Sequence, residues 1–339
     1  MRAFAAATLA PVVLLGLGIL FGGPWAAGAL VYMTVLSFTL DRLIARALPE
    51  APEGAEFPAA DALSAVLALA HLALVPAVVW AVAGDSGLSG AARVALAAGA
   101  GLWFGQVSNS NAHELIHRSD RRLYRLGVAV YVSLLYGQHV SAHRLVHHRH
   151  VATDADPNSA RRGESFYAFA ARAWPAEFRA GRAAESALRK GRGLHPYAVY
   201  LGGAALWVAG IAWAFGWRGL LVYLALAAYA QAQLLLSDYV QHYGLRRALL
   251  PSGRFEPVGP GHSWDARPPF TAALMLNAPR HADHHAHPAR PYPALRLPAG
   301  AAVLPHGLPV MAVLALAPPV WFRLMDRRLD RLARAVPQP

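Results

Sequence analysis

The sequence predicts an all-α integral-membrane protein of six transmembrane helices with a histidine-rich cap on the cytoplasmic side. Three observations predict it. Of 339 residues, 56% are hydrophobic and only 15% charged, where soluble domains carry about 25% charged residues. Apolar runs of bilayer length recur along the chain. Nine of the 16 histidines fall into four short clusters, each beside such a run.

The six runs are 4–22, 24–40, 62–83, 91–111, 198–216 and 219–237. Gly22-Gly23-Pro24 separates the first two, and Gly216-Trp217-Arg218-Gly219 the last two. Residues 1–22 have a signal-like apolar core but no convincing small-residue cleavage site, so they are the first span. Segment 123–137 is apolar but short, and it reads as a re-entrant or interfacial helix. Residues 49–61 form an acidic, Pro-rich loop, and 251–269 are irregular by their Pro and Gly content. Residues 176–192 pattern as an amphipathic surface helix. Residues 308–322, interrupted by Pro318-Pro319, suit a half-buried position at the interface. No internal repeat divides the chain, so 1–339 reads as one membrane domain with cap segments 112–197 and 238–339.

Charge sets the orientation. Residues 112–197 hold 14 Lys and Arg, and 238–339 hold 12. Arg2, Arg42 and Arg46 lie on the same side, and only Arg93 and Arg218 on the other. The positive-inside rule then places both termini and all four histidine clusters in the cytoplasm of a bacterial-type inner membrane. The net charge of +12 also suits anionic membrane lipid or an acidic docking partner. The basic residues are scattered through membrane-flanking loops, which argues against nucleic acid. Without cysteine the chain carries no disulfide, thiolate-ligated iron or iron–sulfur centre, so any electrons come from another protein.

The clusters have metal-ligand spacing, and imidazole is the commonest side-chain metal ligand near neutral pH. His113 and His117 are i, i+4 and share a helix face. His143 and His147 are also i, i+4, with His148 turned by about 100° toward a second ion. His281, His284 and His285 are spaced i, i+3, i+4, and His242 ends the sixth span. Nine ligands exceed what one ion takes, so two ions are expected. All-nitrogen donors with open positions suit redox iron better than magnesium or calcium. His139 and His150 read as outer partners or surface residues, and His71 as a hydrogen-bonded core residue. Glu114, Asp154, Asp156, Asp238 and Asp283 are candidates to orient the ligating rings through their second nitrogen. Each has the alternative of a salt bridge to one of the many arginines.

These motifs resemble the integral-membrane alkane hydroxylases (alkane 1-monooxygenases), within the membrane fatty-acid desaturase/hydroxylase superfamily. The matching stretches are NAHELIHR, AHRLVHH followed by ATDADPNSARRGESFYAF, LLLSDYVQHYGL and LNAPRHADHHAHPARPYP, within about residues 20–297. The resemblance implies a cytoplasmic cap holding two non-haem iron ions on the nine clustered histidines. It also implies O2-dependent terminal hydroxylation of medium-chain alkanes, driven by rubredoxin or ferredoxin plus a reductase. The sequence departs from the family in places: Ala142 and Gln241 stand where members commonly have Glu, Asp238 where they have Asn, and Gln138, beside His139, where they have His. Desaturation or hydroxylation of another lipid-like substrate, a fatty acyl chain, alkylbenzene or terpenoid, is the alternative. A membrane zinc peptidase built on His113-Glu114-x-x-His117 is a second alternative. A metal transporter would want ionisable residues in several spans, and only His71 is clearly so placed. Gly99, Gly101 and Gly105 either leave room for an alkyl chain or pack against neighbouring helices.

Overall fold

The computed structural model describes residues 1–44 and 55–335. Arg46 and most of the acidic loop's first half lie outside the described residues. The chain opens with helices α1 (Arg2–Phe21) and α2 (Gly23–Leu43), broken where Gly22 and Gly23 take positive φ. Helix α3 (Pro58–Ala83) starts with proline in its first turn, where the missing N–H costs nothing. Helix α4 (Gly90–Trp103) is capped by Ser89, whose side chain accepts from the Ala92 N–H. It runs through a π-helical turn (Phe104–Ser108) into α5 (Asn109–Ile116).

Among the described residues four helices are long and apolar enough to cross a membrane: α1, α2, α3 and the 47-residue α10 (Pro196–His242). Six runs were expected, and the difference has two sources. The fourth run is helical from Gly90 to Ile116, but Arg93 and the polar residues Gln106, Ser108, Asn109, Ser110 and Asn111 lower its mean hydropathy. The fifth and sixth runs join in α10 across Gly216, whose backbone is non-helical (φ 64°). Only glycine adopts that conformation at little cost, so the expected break is a kink.

The 123–137 segment forms helix α6 (Arg121–Ser133), capped by Asp120 and packed on α5. The contact is close: a Cβ on Gly127 would stand 2.8 Å from the Leu115 side chain. The amphipathic segment 176–192 lies in α9 (Phe166–Arg189) up to Arg189, and Lys190 ends the helix. The C-terminal apolar stretch becomes two helices, α13 (Leu308–Ala315) and α14 (Pro318–Ala335). Residues 308–322 are half-buried, as expected: Leu308, Met311, Ala315 and Trp321 are covered, while Val313, Leu316 and Val320 are exposed. Met311, Trp321 and Met325 are fully covered against Tyr239 and Tyr243 in a second core below the membrane helices. Tyr243 there donates to Asp326 at 2.9 Å, and Arg162 pairs with Asp330 at 2.8 Å.

His71 is the hydrogen-bonded core residue that its position suggested. It bridges the Ser108 and Ser133 hydroxyls at 2.6 and 2.8 Å, joining α3 to the π turn and to α6. The three glycines of α4 and the π turn serve helix contact rather than open space. A Cβ on Gly99 would lie 2.8 Å from the Leu30 nitrogen, one on Gly101 2.5 Å from the Tyr229 ring, and one on Gly105 would overlap the Gln233 amide. Replacing Gly99 by Ala should therefore lower stability by about 1–3 kcal/mol through overpacking. Gly210→Ala, in open space, should not. Thermal unfolding of both variants in detergent checks this, and equal midpoints would refute the packing role.

Candidate metal centre

Four helical pieces deliver the nine histidines. His113 lies on α5 and His117 caps its end. His143 and His147 occupy a π-helical turn (His143–His147), entered from α7 (His139–Ala142) and continued by α8 (His148–His150). His242 ends α10, and the last three lie on α12 (His281–Ala286). All nine converge in two adjacent groups. One comprises His113, His117, His143, His148 and His284, and the other His147, His242, His281 and His285; within each group the candidate nitrogens lie within 4.8 Å of one another.

One detail of the sequence reading is corrected. The i, i+4 pair His143 and His147 does not share a group, and the i, i+5 pair His143 and His148 does. An α-helix would have put the first pair on one face. The π turn holds about one more residue per turn, so it aligns positions five apart and aims His147 at the neighbouring group. On α12, His281 and His285 keep α-helical i, i+4 spacing within one group, while His284 reaches the other.

The nitrogen contacts test whether a metal ion fits. His148 Nε2 stands 2.9 Å from His143 Nε2 and 3.2 Å from His284 Nε2. His281 Nε2 stands 3.0 Å from His242 Nε2 and 3.1 Å from His285 Nε2. A proton on the central nitrogen satisfies only one neighbour, so each trio leaves lone pairs facing one another. Two nitrogens bonded to one ion at right angles, each at about 2 Å, stand about 3 Å apart. The buried Nε2 atoms of His113, His117 and His147 have no partner among the described residues. Desolvation, reinforced by the neighbouring rings, holds His113, His143, His148, His284 and His285 well below the ordinary histidine value. It brings His117 down to about 3. Neutral imidazole is the form that coordinates. Each group is thus able to hold a metal ion, and the residues fit nitrogen-ligated metal.

The five candidate carboxylates divide. Asp156 meets His147 Nδ1 at 2.8 Å and also accepts from Ser159. Burial opposes a charge on either partner, yet their pairing raises His147 and lowers Asp156. Asp238 is one residue removed: it accepts from Asn158 Nδ2 at 2.7 Å, and the Asn158 N–H donates to Asp156. Glu114 binds Arg118 at 2.6 Å and accepts from the Tyr292 N–H, while burial pushes its carboxyl up to about 7. Asp283 is held by Arg290, His287 and the Arg296 N–H. Asp154 is exposed, 3.9 Å from Arg246. Among the described residues only Asp156 reaches one of the nine rings directly.

Two partners escaped the sequence reading. Glu177, on α9, is buried and accepts from Tyr136 at 2.6 Å and pairs with His139 Nδ1 at 2.7 Å, placing the His139 ring against His143. No local pattern links residues 38 apart. Asp265 lies in a two-residue strand, Trp264–Asp265, paired in parallel with Ala302–Val303, and accepts from the Ala282 N–H at the start of α12. That segment was read as irregular. His150 is exposed, as a surface residue would be.

A cavity of about 190 Å³ runs from the helices to this centre. Leu102, Leu234, Leu308, Ala312, Val313 and Leu316 line its apolar part, and His113, His143 and His281 its inner end.

Comparison with known proteins agrees with this geometry. The profile of the fatty acid desaturase family matches residues 88–314. Alkane 1-monooxygenase 2 of Pseudomonas aeruginosa is 30% identical over 90% of this chain and 84% of its own length. Alkane 1-monooxygenase 1 of the same organism is 36% identical over 68% of this chain, which spans 62% of that protein. The xylene/toluene monooxygenase hydroxylase component of Pseudomonas putida is 26% identical over 64% of the chain and 58% of its own length. With its family profile and its relatives in accord, the chain belongs to the fatty acid desaturase family, among the alkane 1-monooxygenases.

Proposed function

We propose that the chain is an O2-dependent non-haem di-iron monooxygenase that hydroxylates the terminal methyl of medium-chain alkanes to primary alcohols. The observation that carries this reading is the convergence of nine imidazoles, in two groups, on the end of a largely apolar cavity. Each group would hold one iron ion. The iron pair supplies the reduction of O2 and the oxidation of an unactivated C–H bond.

The protein's own residues do the rest. The five-histidine group would hold one ion from α5, the His143–His147 turn, α8 and α12, and the four-histidine group would hold the other from that same turn, α10 and α12. Asp156 holds the His147 tautomer so that Nε2 faces inward. Leu102, Leu308 and Val313 exclude water and align the alkyl chain. Glu114 is engaged by Arg118 and the Tyr292 N–H, so it is not the free general base that a zinc peptidase needs.

We place the chain in a bacterial-type inner membrane as one domain, with residues 91–111, 198–216 and 219–237 completing six spans, and with both termini cytoplasmic. The basic residues of the cap support that orientation. Rubredoxin or ferredoxin, with its reductase, would deliver electrons to the cytoplasmic face, since the chain has no cysteine for a centre of its own.

Three outcomes are expected. His147→Ala and His284→Ala, one from each group, should lose turnover and metal while still inserting in the membrane. Elemental analysis beside activity checks this, and full activity in either variant would remove that ligand. Donor-limited turnover should fall with added salt, because Arg121, Arg122 and Arg161 are exposed and such charges are screened over about 10 Å at 0.1 M. Salt-independent kinetics would refute docking on this face. Cells supplied with a rubredoxin system and an octane-to-hexadecane series should yield primary alcohols. Alkenes or internal alcohols alone would reject terminal hydroxylation.

A further inference from the structure

The proposed reaction consumes two protons for each O2 reduced, and a largely apolar cavity does not supply them. Apart from the three ligand histidines, few groups on the cavity wall can give up a proton: Asp238, His139, Tyr131, Tyr229, Ser110 and Ser237. The hydroxyls hold their protons too tightly near neutral pH, since even tyrosine ionises only at about 10. His139 is committed through Nδ1 to Glu177 at 2.7 Å, and its ring packs on His143. Asp238 is left, the one carboxylate among the residues that line the cavity.

Asp238 lies where a proton is needed. It is four residues before His242 on α10, so both side chains leave one helix face, about 6 Å apart along the axis. That places it at the inner end of the cavity, with His113 and His143 of one group and His281 of the other. It belongs to neither group of clustered nitrogens, so it is not a further ligand.

Its carboxylate is fixed on one side and open on the other. Asn158 Nδ2 donates to Oδ2 at 2.7 Å, and the Asn158 N–H donates to Asp156, which orients His147. Oδ1 accepts no hydrogen bond among the described residues, and the 7% of Asp238 that stays open lines the cavity. The titratable groups packed around it are Tyr131 on α6, His139 on α7, Glu177 on α9 and the His147–Asp156 pair.

The next turn of α10 makes this placement particular to the chain. Gln241 also lines the cavity, and Asp238 and Gln241 exchange the amide and the acid of the family pattern. One carboxylate is thus kept on this wall, moved back by about 5 Å along the helix. The Gln241 amide binds Ala278 and Ser237 and has no acidic proton to release.

We infer that Asp238 is the proton donor of this centre, passing protons from water to the oxygen reduced at the inner end of the cavity. This rests on the monooxygenase reading and adds a residue to it. In each turnover one oxygen atom of O2 enters the C–H bond and the other leaves as water. Two electrons come from the external carrier. The two protons pass through the Asp238 carboxyl, which regains each from water and ends unchanged.

The test compares the metal-loaded wild type with Asp238→Asn and with the double variant Asp238→Asn, Gln241→Glu. Asp238→Asn keeps an acceptor for Asn158 and should lower kcat for octane about a hundredfold. It should also raise the solvent deuterium isotope effect on kcat, while KM and metal content stay as in the wild type. The double variant returns an acid to the wall and should recover most of the loss. Infrared spectra of the wild type should show a carboxyl C=O band that titrates near neutral pH and is missing from Asp238→Asn. An unchanged kcat and isotope effect in Asp238→Asn, or a wild type without that band, would overturn the inference. The band in a protein that forms no alcohol from any alkane would uphold Asp238 as a proton carrier and count instead against the monooxygenase reading.

Discussion

Everything in this molecule is arranged around keeping nine buried or half-buried imidazoles close and facing one another. Lone pairs at about 3 Å repel unless something positive lies between them, so the arrangement persists only because rigid elements impose it. The helices above supply a dry environment, and the second core around Trp264, Trp321 and Tyr243 fixes the floor. Two small backbone devices do the aiming. The π turn at His143–His147 sends consecutive ring pairs to different groups, and Asp265 pins the first turn of α12.

The helical bundle was legible in the sequence because apolar run length is set by bilayer thickness and needs no tertiary information. The nine histidines were legible because helical spacing is local. What was not legible arises from contacts remote in sequence. The π turn has no residue signature in AHRLVHH, so the i, i+4 rule assigned His147 to the wrong partner. Glu177 was hidden in a helix read as surface, because its partners Tyr136 and His139 come from another segment. Glu114, Asp154 and Asp283 lie next to histidines in sequence yet bind arginine or backbone, since 26 arginines and lysines in the cap segments compete for them.

The departures from the family pattern have a local account. At Ala142 the neighbouring helix α9 comes close: a Cβ on Gly181 would lie 2.9 Å from the Ala142 nitrogen. A long acidic side chain is replaced there by backbone contact. Gln241 donates to the Ala278 carbonyl at 3.1 Å and accepts from Ser237 at 3.0 Å, while it lines the cavity. A carboxylate at that position has no hydrogen to give to Ala278. The neutral amide therefore ties the end of α10 to the segment before α12 without adding charge beside the substrate.

Charge balance ties these observations together. Two divalent cations held as proposed bring positive charge that neutral imidazoles do not offset. The carboxylates of Asp156, Asp238, Glu177 and Asp265 are all buried around the histidines. Each is costly in isolation, and burial pushes Asp265 up to about 7 even against the backbone N–H groups it accepts from. Beside cations the same groups become favourable, because an ion inverts the local preference for neutral carboxyls. They are held by Ser159, Asn158, Tyr136 and the Ala282 N–H. Asp156, Glu177 and Asp265 thus sit behind the ligands, while Asp238 also lines the cavity beside the amides and hydroxyls of its wall. Most of the buried negative charge is thereby placed to balance metal, while leucines, alanine and valine give the substrate a largely apolar surface.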